Sequence, residues 1–425
     1  MRRSPGAERR LWFLLFVLSA LLMLAIAGAA CGDDDDDDDS SSSIDDDTGD
    51  DDITDDDDDD DTDDDDTSDD DTADDDTGDD DTAEAPFFPV GGPFADADEN
   101  AGEWVWLPVP GNICRDGSAT GIAVRLQENA NKLMIFMQGG GACFDAGTCA
   151  GNPKKFGEPE FTSAKSGELT KGVFADGGAA AAETSALSGW HNVFVPYCTG
   201  DVHSGNATDV EIKGASGKQQ FVGLINIRNI ADLLGEYFDG VQTVFLIGQS
   251  AGGFGTNLGF LEFAQAFPGN DVNVFNDSAP LPADNDVLSP VLQFGLRSLW
   301  NVVPPPGCDD CGTKFDGLEN IQKYNATEYP NSTFGLYSYL EDETIRDFFQ
   351  VGDPITGEAY AAGLEDLRDN LLEPTGRWST FFIEGTGHAP STSDTYFEIE
   401  EGGTSLQEWV EELATASDPP ASVAP

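Results

Sequence analysis

The chain has 425 residues, with 82 Asp and Glu against 20 Lys and Arg, a formal charge of −62. That balance excludes a protein built to hold nucleic acid or an anionic membrane surface by charge, since both are polyanions. The charge is unevenly spread. Residues 1–32 hold four Arg and one Glu, residues 33–84 hold 33 Asp and one Glu with no basic residue, and 47 acids face 16 bases in residues 85–425.

Arg2, Arg3, Arg9 and Arg10 precede an apolar run from Leu11 to Ala30, interrupted only by Ser19. A basic start, an apolar stretch and small residues before a cleavage point describe an export signal over residues 1–31. Ala29-Ala30-Cys31, followed at once by a polar linker, resembles a bacterial lipoprotein processing site, with Gly28 where Leu is preferred. Cys31 is therefore the expected lipid attachment point, which would tie the protein to the membrane of a bacterial cell envelope. Ordinary cleavage with secretion, or an uncut anchor, are the alternatives. Each places the rest of the chain outside the cytoplasm.

Residues 32–85 are Asp runs broken by Thr, Ser and Gly. No periodicity buries a face there, and like charges repel along the chain, so a disordered tether is expected. Stretched out, the 52 residues 33–84 reach at most about 170–190 Å. The carboxylate runs could collect calcium weakly, but lack the glycine turn and bidentate Glu of a specific calcium loop.

Residues 86–425 are long enough for one large α/β domain. Short apolar runs predict buried strands at Lys132–Met137, Asn192–Tyr197, Thr243–Ile247, Val272–Phe275, Thr333–Leu340 and Ser379–Glu384. Helical patterns lie between and after them at Phe221–Phe238, Gly253–Phe267 and Ser405–Leu413. Strands alternating with helices imply a mainly parallel sheet covered on both faces. Six cysteines remain after Cys31: Cys114, Cys143, Cys149, Cys198, Cys308 and Cys311. An even number in an exported chain reads as three disulfides, with 15 pairings open. Cys308-Asp-Asp-Cys311 could also be half a zinc site or a redox pair.

The chemistry concentrates at Gly248-Gln249-Ser250-Ala251-Gly252, a G-x-S-x-G turn between a strand and a helix. Such a turn lifts a serine oxygen above the sheet, and the Ala251 N–H, opening the helix, can face a developing oxyanion. Of the three histidines, His388 follows the last strand, where a base for this serine would stand. His191 reads as a structural loop residue, and His203 as a residue that could line a pocket. Two acids compete to orient the base. Asp342 would give the chain order Ser…Asp…His, whereas Asp277 follows the strand immediately after the serine. Gln138-Gly139-Gly140-Gly141-Ala142-Cys143 follows an earlier strand, and its bare N–H groups suit a second oxyanion donor.

Taken together, these segments resemble the pectin acetylesterase and Notum carboxylesterase family. The likeness rests on Cys114-Arg115-Asp116-Gly117-Ser118, the turn Met137–Cys143, Val193–Cys198 with Asp201-Val202-His203-Ser204-Gly205, Ser250-Ala251-Gly252-Gly253, Asn276-Asp277-Ser278 and Leu340-Glu341-Asp342-Glu343. The resemblance implies an α/β-hydrolase-like fold and a catalytic set of Ser250, Asp342 and His388. It implies an oxyanion hole of Gly140, Gly141 and Ala251 N–H groups, and the disulfides Cys114–Cys198 and Cys143–Cys149, leaving Cys308 for Cys311. Two departures fall near the acyl pocket. Gly141 and Ala142 leave the turn without the family's usual aromatic, and His203 stands where an aromatic is common.

The expected activity is hydrolysis of acyl esters, acetyl first, on a polysaccharide or another ester, by a monomer needing no metal or cofactor. Ala142, His203 and Asp277 are candidate pocket residues. A deacylase of longer-chain lipid or protein esters, and a non-catalytic glycan-binding module, are the alternatives. The excess acid within residues 85–425 would repel polygalacturonate, which favours neutral acetylated glycans, or a locally basic cleft, over pectin as such.

Overall fold

The computed structural model describes residues 92–425, apart from 179–182, 285 and 313–314. The export signal, Cys31 and the Asp-rich linker lie outside the described residues. Among the described residues, no helix is long and apolar enough to cross a membrane.

Among the described residues, ten strands are four residues or longer: β1 (Val105–Ile113), β2 (Ala119–Arg125), β3 (Lys132–Met137), β4 (His191–Val195), β5 (Ala207–Glu211), β6 (Lys218–Phe221), β7 (Thr243–Gln249), β8 (Val272–Asp277), β9 (Phe334–Tyr339) and β10 (Trp378–Ile383). Eight of them make one sheet in the order β1-β2-β4-β3-β7-β8-β9-β10, while β5 and β6 pair as a separate ribbon. From β4 to β10 every neighbouring pair is parallel. The mainly parallel α/β sheet expected from the sequence is present, and the six strands read there lie within a few residues of their places.

Alternation explains how the sheet is held. Leu133, Ile135 and Met137 of β3 face one apolar core with Val244 and Leu246 of β7. Met134, Phe136, Phe245 and Ile247 face the other. Successive side chains of a strand point to opposite sides, so a strand apolar at every position must be covered twice. On one side lie helices Gly223–Tyr237 and Phe260–Ala266, through Ile227, Ile230, Leu234 and Phe263. On the other lies helix Leu406–Thr415, through Trp409, Val410 and Leu413. Burying a side chain of that size contributes about 1.5–3 kcal/mol.

Several features depart from the sequence reading. The strands β1 and β2 pair antiparallel at one edge and are absent from it. Pro108, Pro110 and Gly111 hide β1, because proline is tolerated in a sheet mainly at an edge, as here. The stretch read as one helix over Gly253–Phe267 is two, Ala251–Leu258 and Phe260–Ala266, divided at Gly259. Glycine has low helix propensity, so it is a ready breaking point. Helices Pro290–Leu299 and Glu343–Phe349 were also not read.

Cys114–Cys198, Cys143–Cys149 and Cys308–Cys311 are joined as disulfides.

Candidate active site

Ser250 sits where β7 turns into helix Ala251–Leu258, at φ 54° and ψ −116°. A non-glycine residue at positive φ is strained, and such strain persists only where the surroundings enforce it. They do so here. The Ser250 N–H donates to the Asp277 carbonyl at 2.7 Å, and the helix begins with Phe254 N–H donating to the Ser250 carbonyl. Two residues on, the backbone runs so close to β3 that a Cβ on Gly252 would fall 1.9 Å from the Met137 oxygen. Only glycine fits.

His388 Nε2 lies 2.8 Å from Ser250 Oγ, and its Nδ1 lies 2.7 Å from Asp342 Oδ2. Asp342 is fully buried and caps helix Glu343–Phe349, accepting the Ile345 N–H on Oδ1 at 2.9 Å. One oxygen thus fixes the helix and the other faces the imidazole. This chain of contacts can hold the Nδ1 proton toward Asp342 and leave Nε2 free to accept the serine proton.

Asp277, the rival acid, is equally buried but does not reach the ring. Its Oδ2 accepts the N–H and hydroxyl of Ser391, and its Oδ1 accepts the Ser278 hydroxyl. Ser278 Oγ in turn accepts the Ala389 N–H at 3.1 Å. Asp277 therefore braces the loop that carries His388. It was expected in the pocket; burial behind that loop keeps it out, and the same burial lifts its pKa to about 6. Gln249 grips the same loop, donating to the Ala389 carbonyl and accepting from Thr392. Nothing in the sequence singled it out beyond its place in the G-x-S-x-G turn.

The glycine turn approaches from the other side. A Cβ on Gly139 would fall 3.1 Å from Ser250 Cβ. Among the described residues, the N–H groups of Gly140, Gly141 and Ala251 have no backbone acceptor. His203 lies behind this turn and is not in the pocket. It is 3% exposed, its ring packs on Tyr197 at 4.7 Å, and Nε2 donates to the Gln138 carbonyl at 2.9 Å. Burial pushes its pKa down to about 4, so it is neutral at ordinary pH. His191 starts β4, where its Nδ1 accepts the Gln127 N–H and Nε2 donates to the Ala130 carbonyl, remote from this chemistry.

Ser250, Ala251, Gly141 and Ala142 stand on the wall of a cavity with about 80 Å³ open to the centre of a water-sized sphere. Most of its remaining wall is apolar, from Phe254, Leu281, Leu292, Leu296, Trp300 and Phe349. The aromatic missing from the glycine turn is replaced in space: Phe348, on the helix that Asp342 caps, comes within 3.0 Å of where a Gly141 Cβ would be.

Residues 107–281 match the family model described as Pectinacetylesterase. The chain is 26% identical over 323 residues to palmitoleoyl-protein carboxylesterase notum1 of Xenopus laevis, covering 69% of this chain and 63% of that one. It is 31% identical over 268 residues to palmitoleoyl-protein carboxylesterase NOTUM of Drosophila melanogaster, covering 58% and 38%. A human protein of the same description is 28% identical over 149 residues, covering 34% and 28%. The chain thus spans less than two-thirds of the length of these relatives. The match to the family model ends before Asp342 and His388, which the fold brings to Ser250. With the motifs in order around one serine, the chain carries a segment that matches the pectinacetylesterase model and is similar to these carboxylesterases.

Proposed function

We propose that this protein is an exported serine esterase that accepts a long apolar acyl group. Ser250 attacks the ester carbonyl while His388 takes its proton, and Asp342 holds the imidazole in the useful tautomer. The N–H groups of Gly140, Gly141 and Ala251 receive the oxyanion. His388 returns the proton to the departing alcohol, and water then releases the acyl group from Ser250. The reading is carried by the continuous set of contacts Ser250–His388–Asp342 at 2.8 and 2.7 Å.

The cavity favours the longer-chain alternative over acetyl. An acetyl group would leave most of a wall of Leu, Phe and Trp without a partner, whereas each buried CH₂ of a longer chain gains about 0.8 kcal/mol. The relatives, described as palmitoleoyl-protein carboxylesterases, agree with that choice. Residues 1–31 are the export signal in this reading, with Cys31 carrying the lipid. Residues 32–85 are the tether, and residues 86–425 are the enzyme, working as a monomer.

The test is hydrolysis of p-nitrophenyl acetate, octanoate and dodecanoate by wild type and Ser250→Ala. Wild type should prefer octanoate or dodecanoate in kcat/KM, and Ser250→Ala should lose at least about 10³-fold on every ester. Preference for acetate would return the reading to deacetylation, and undiminished turnover by Ser250→Ala would remove the serine mechanism.

A further inference from the structure

Three carbonyls of the glycine turn are held from behind by side chains. His203 donates to Gln138, Asn152 Nδ2 donates to Gly140 at 2.6 Å, and the Tyr197 hydroxyl donates to Gly141 at 2.9 Å. A trans peptide points the carbonyl of one residue and the N–H of the next in opposite directions across one rigid plane. Holding the Gly140 carbonyl therefore aims the Gly141 N–H, and holding the Gly141 carbonyl fixes the next plane, so that Gly141 is pinned on both sides. Glycine supplies no stiffness of its own, so a turn of three glycines keeps its N–H groups converged only if something else fixes the planes.

We infer that Asn152 and Tyr197 are positioning residues for the oxyanion hole, acting through the carbonyls of Gly140 and Gly141. This rests on the serine-esterase reading. Neither residue lines the apolar cavity beside Ser250. Tyr197 is 1% exposed and Asn152 is 7% exposed. The Tyr197 oxygen also accepts the Val202 N–H at 2.8 Å, so its single proton is committed to Gly141. Asn152 is anchored in turn. Its own carbonyl and that of Cys149 accept from Arg115, a buried guanidinium next to Cys114. Cys149 is bonded to Cys143 at the end of the turn, and Cys198, the neighbour of Tyr197, is bonded to Cys114. Two disulfides and one arginine thereby hold both donors against the turn.

A clamp of this kind acts on the transition state, because the oxyanion exists only there, while acyl-chain binding belongs to the apolar cavity. The experiment compares wild type, Ser250→Ala, Tyr197→Phe and Asn152→Asp on p-nitrophenyl octanoate. It also measures each protein's thermal midpoint and the affinity of octylboronic acid, a tetrahedral oxyanion mimic. Tyr197→Phe removes one donor without changing shape, and kcat should fall about 10-fold. Asn152→Asp turns an acceptor toward the Gly140 carbonyl, and kcat should fall about 100-fold. KM should stay within about twofold, and boronate affinity should fall in step with kcat. Full kcat in Tyr197→Phe, or losses that fall on KM with boronate affinity unchanged, would overturn the clamp and leave the esterase intact. Wild-type turnover no faster than that of Ser250→Ala would overturn both.

Discussion

Ser250 is flanked by two loops that are held in opposite senses. The glycine turn is gripped by its carbonyls, by donors from His203, Asn152 and Tyr197. The His388 loop is gripped largely by its N–H groups, through Asp277 acting on Ser391 and Ser278 acting on Ala389. The difference follows from what each loop must offer. A turn that presents N–H groups to an oxyanion has to be held by its other side, leaving the donors free. A loop that presents an imidazole can spend its backbone donors on a buried carboxylate, because the side chain carries the chemistry.

That contrast predicts a graded series. The largest effect should come from Asp342→Asn. An amide can still accept the Ile345 N–H and cap the helix, but it favours the wrong imidazole tautomer, so kcat should fall about 10⁴-fold with little change in thermal midpoint. A loss below about 10-fold would mean that Asp342 does not orient the base. Asp277→Asn should cost less, about 10- to 100-fold, because it loosens the loop and leaves the ring's own partner in place. Equal losses in the two variants would erase the distinction between orienting the imidazole and bracing its loop.

The smallest effect is on stability. Glu168 donates nothing to the chemistry, but its carboxylate accepts from Gln138 Nε2 behind the glycine turn, and burial lifts its pKa to about 7 from 4.5. The folded protein therefore holds a proton that the unfolded chain has released between about pH 4.5 and 7, so stability falls as pH rises through that window. Asp201 and Asp277, each raised to about 6 by burial, act in the same sense at lower pH. His203, lowered to about 4, and His191, also lowered, act in the opposite sense below about pH 6.5. The Glu168 contribution should thus stand out between pH 6 and 7.5, as a fall in thermal midpoint on the order of 2 °C that Glu168→Gln removes. A midpoint that rises over that interval would contradict the assignment.

How much of this was legible in the sequence depended on how local each feature is. The turn at Ser250 is written in five consecutive residues between an apolar strand and a helix, and His388 follows the last strand. Choosing Asp342 over Asp277 was harder from sequence, since both close a buried strand, β9 and β8, and those strands are neighbours in the sheet. Only the geometry sends one carboxylate to the ring and the other to the loop. The cavity was illegible for a different reason: its wall is assembled from residues between Gly141 and Phe349 that no periodicity connects. Asn152 carried no signal beyond its nearness to Cys149, and Tyr197 none beyond its place in the segment Val193–Cys198; their role follows only from where the disulfides and Arg115 place them. His203 was drawn toward the pocket by its position after a strand, yet folding puts it under the turn.

A reactive Ser250 opening onto an apolar acyl cavity is central to the mechanism. Its most direct measurement is the rate at which p-nitrophenyl alkylphosphonates label the protein, read by mass spectrometry of the peptide that contains residue 250. One adduct is expected, on Ser250, formed faster with an octyl than with a methyl phosphonate and absent from Ser250→Ala. Labelling elsewhere, or a methyl reagent that reacts faster than the octyl one, would contradict it.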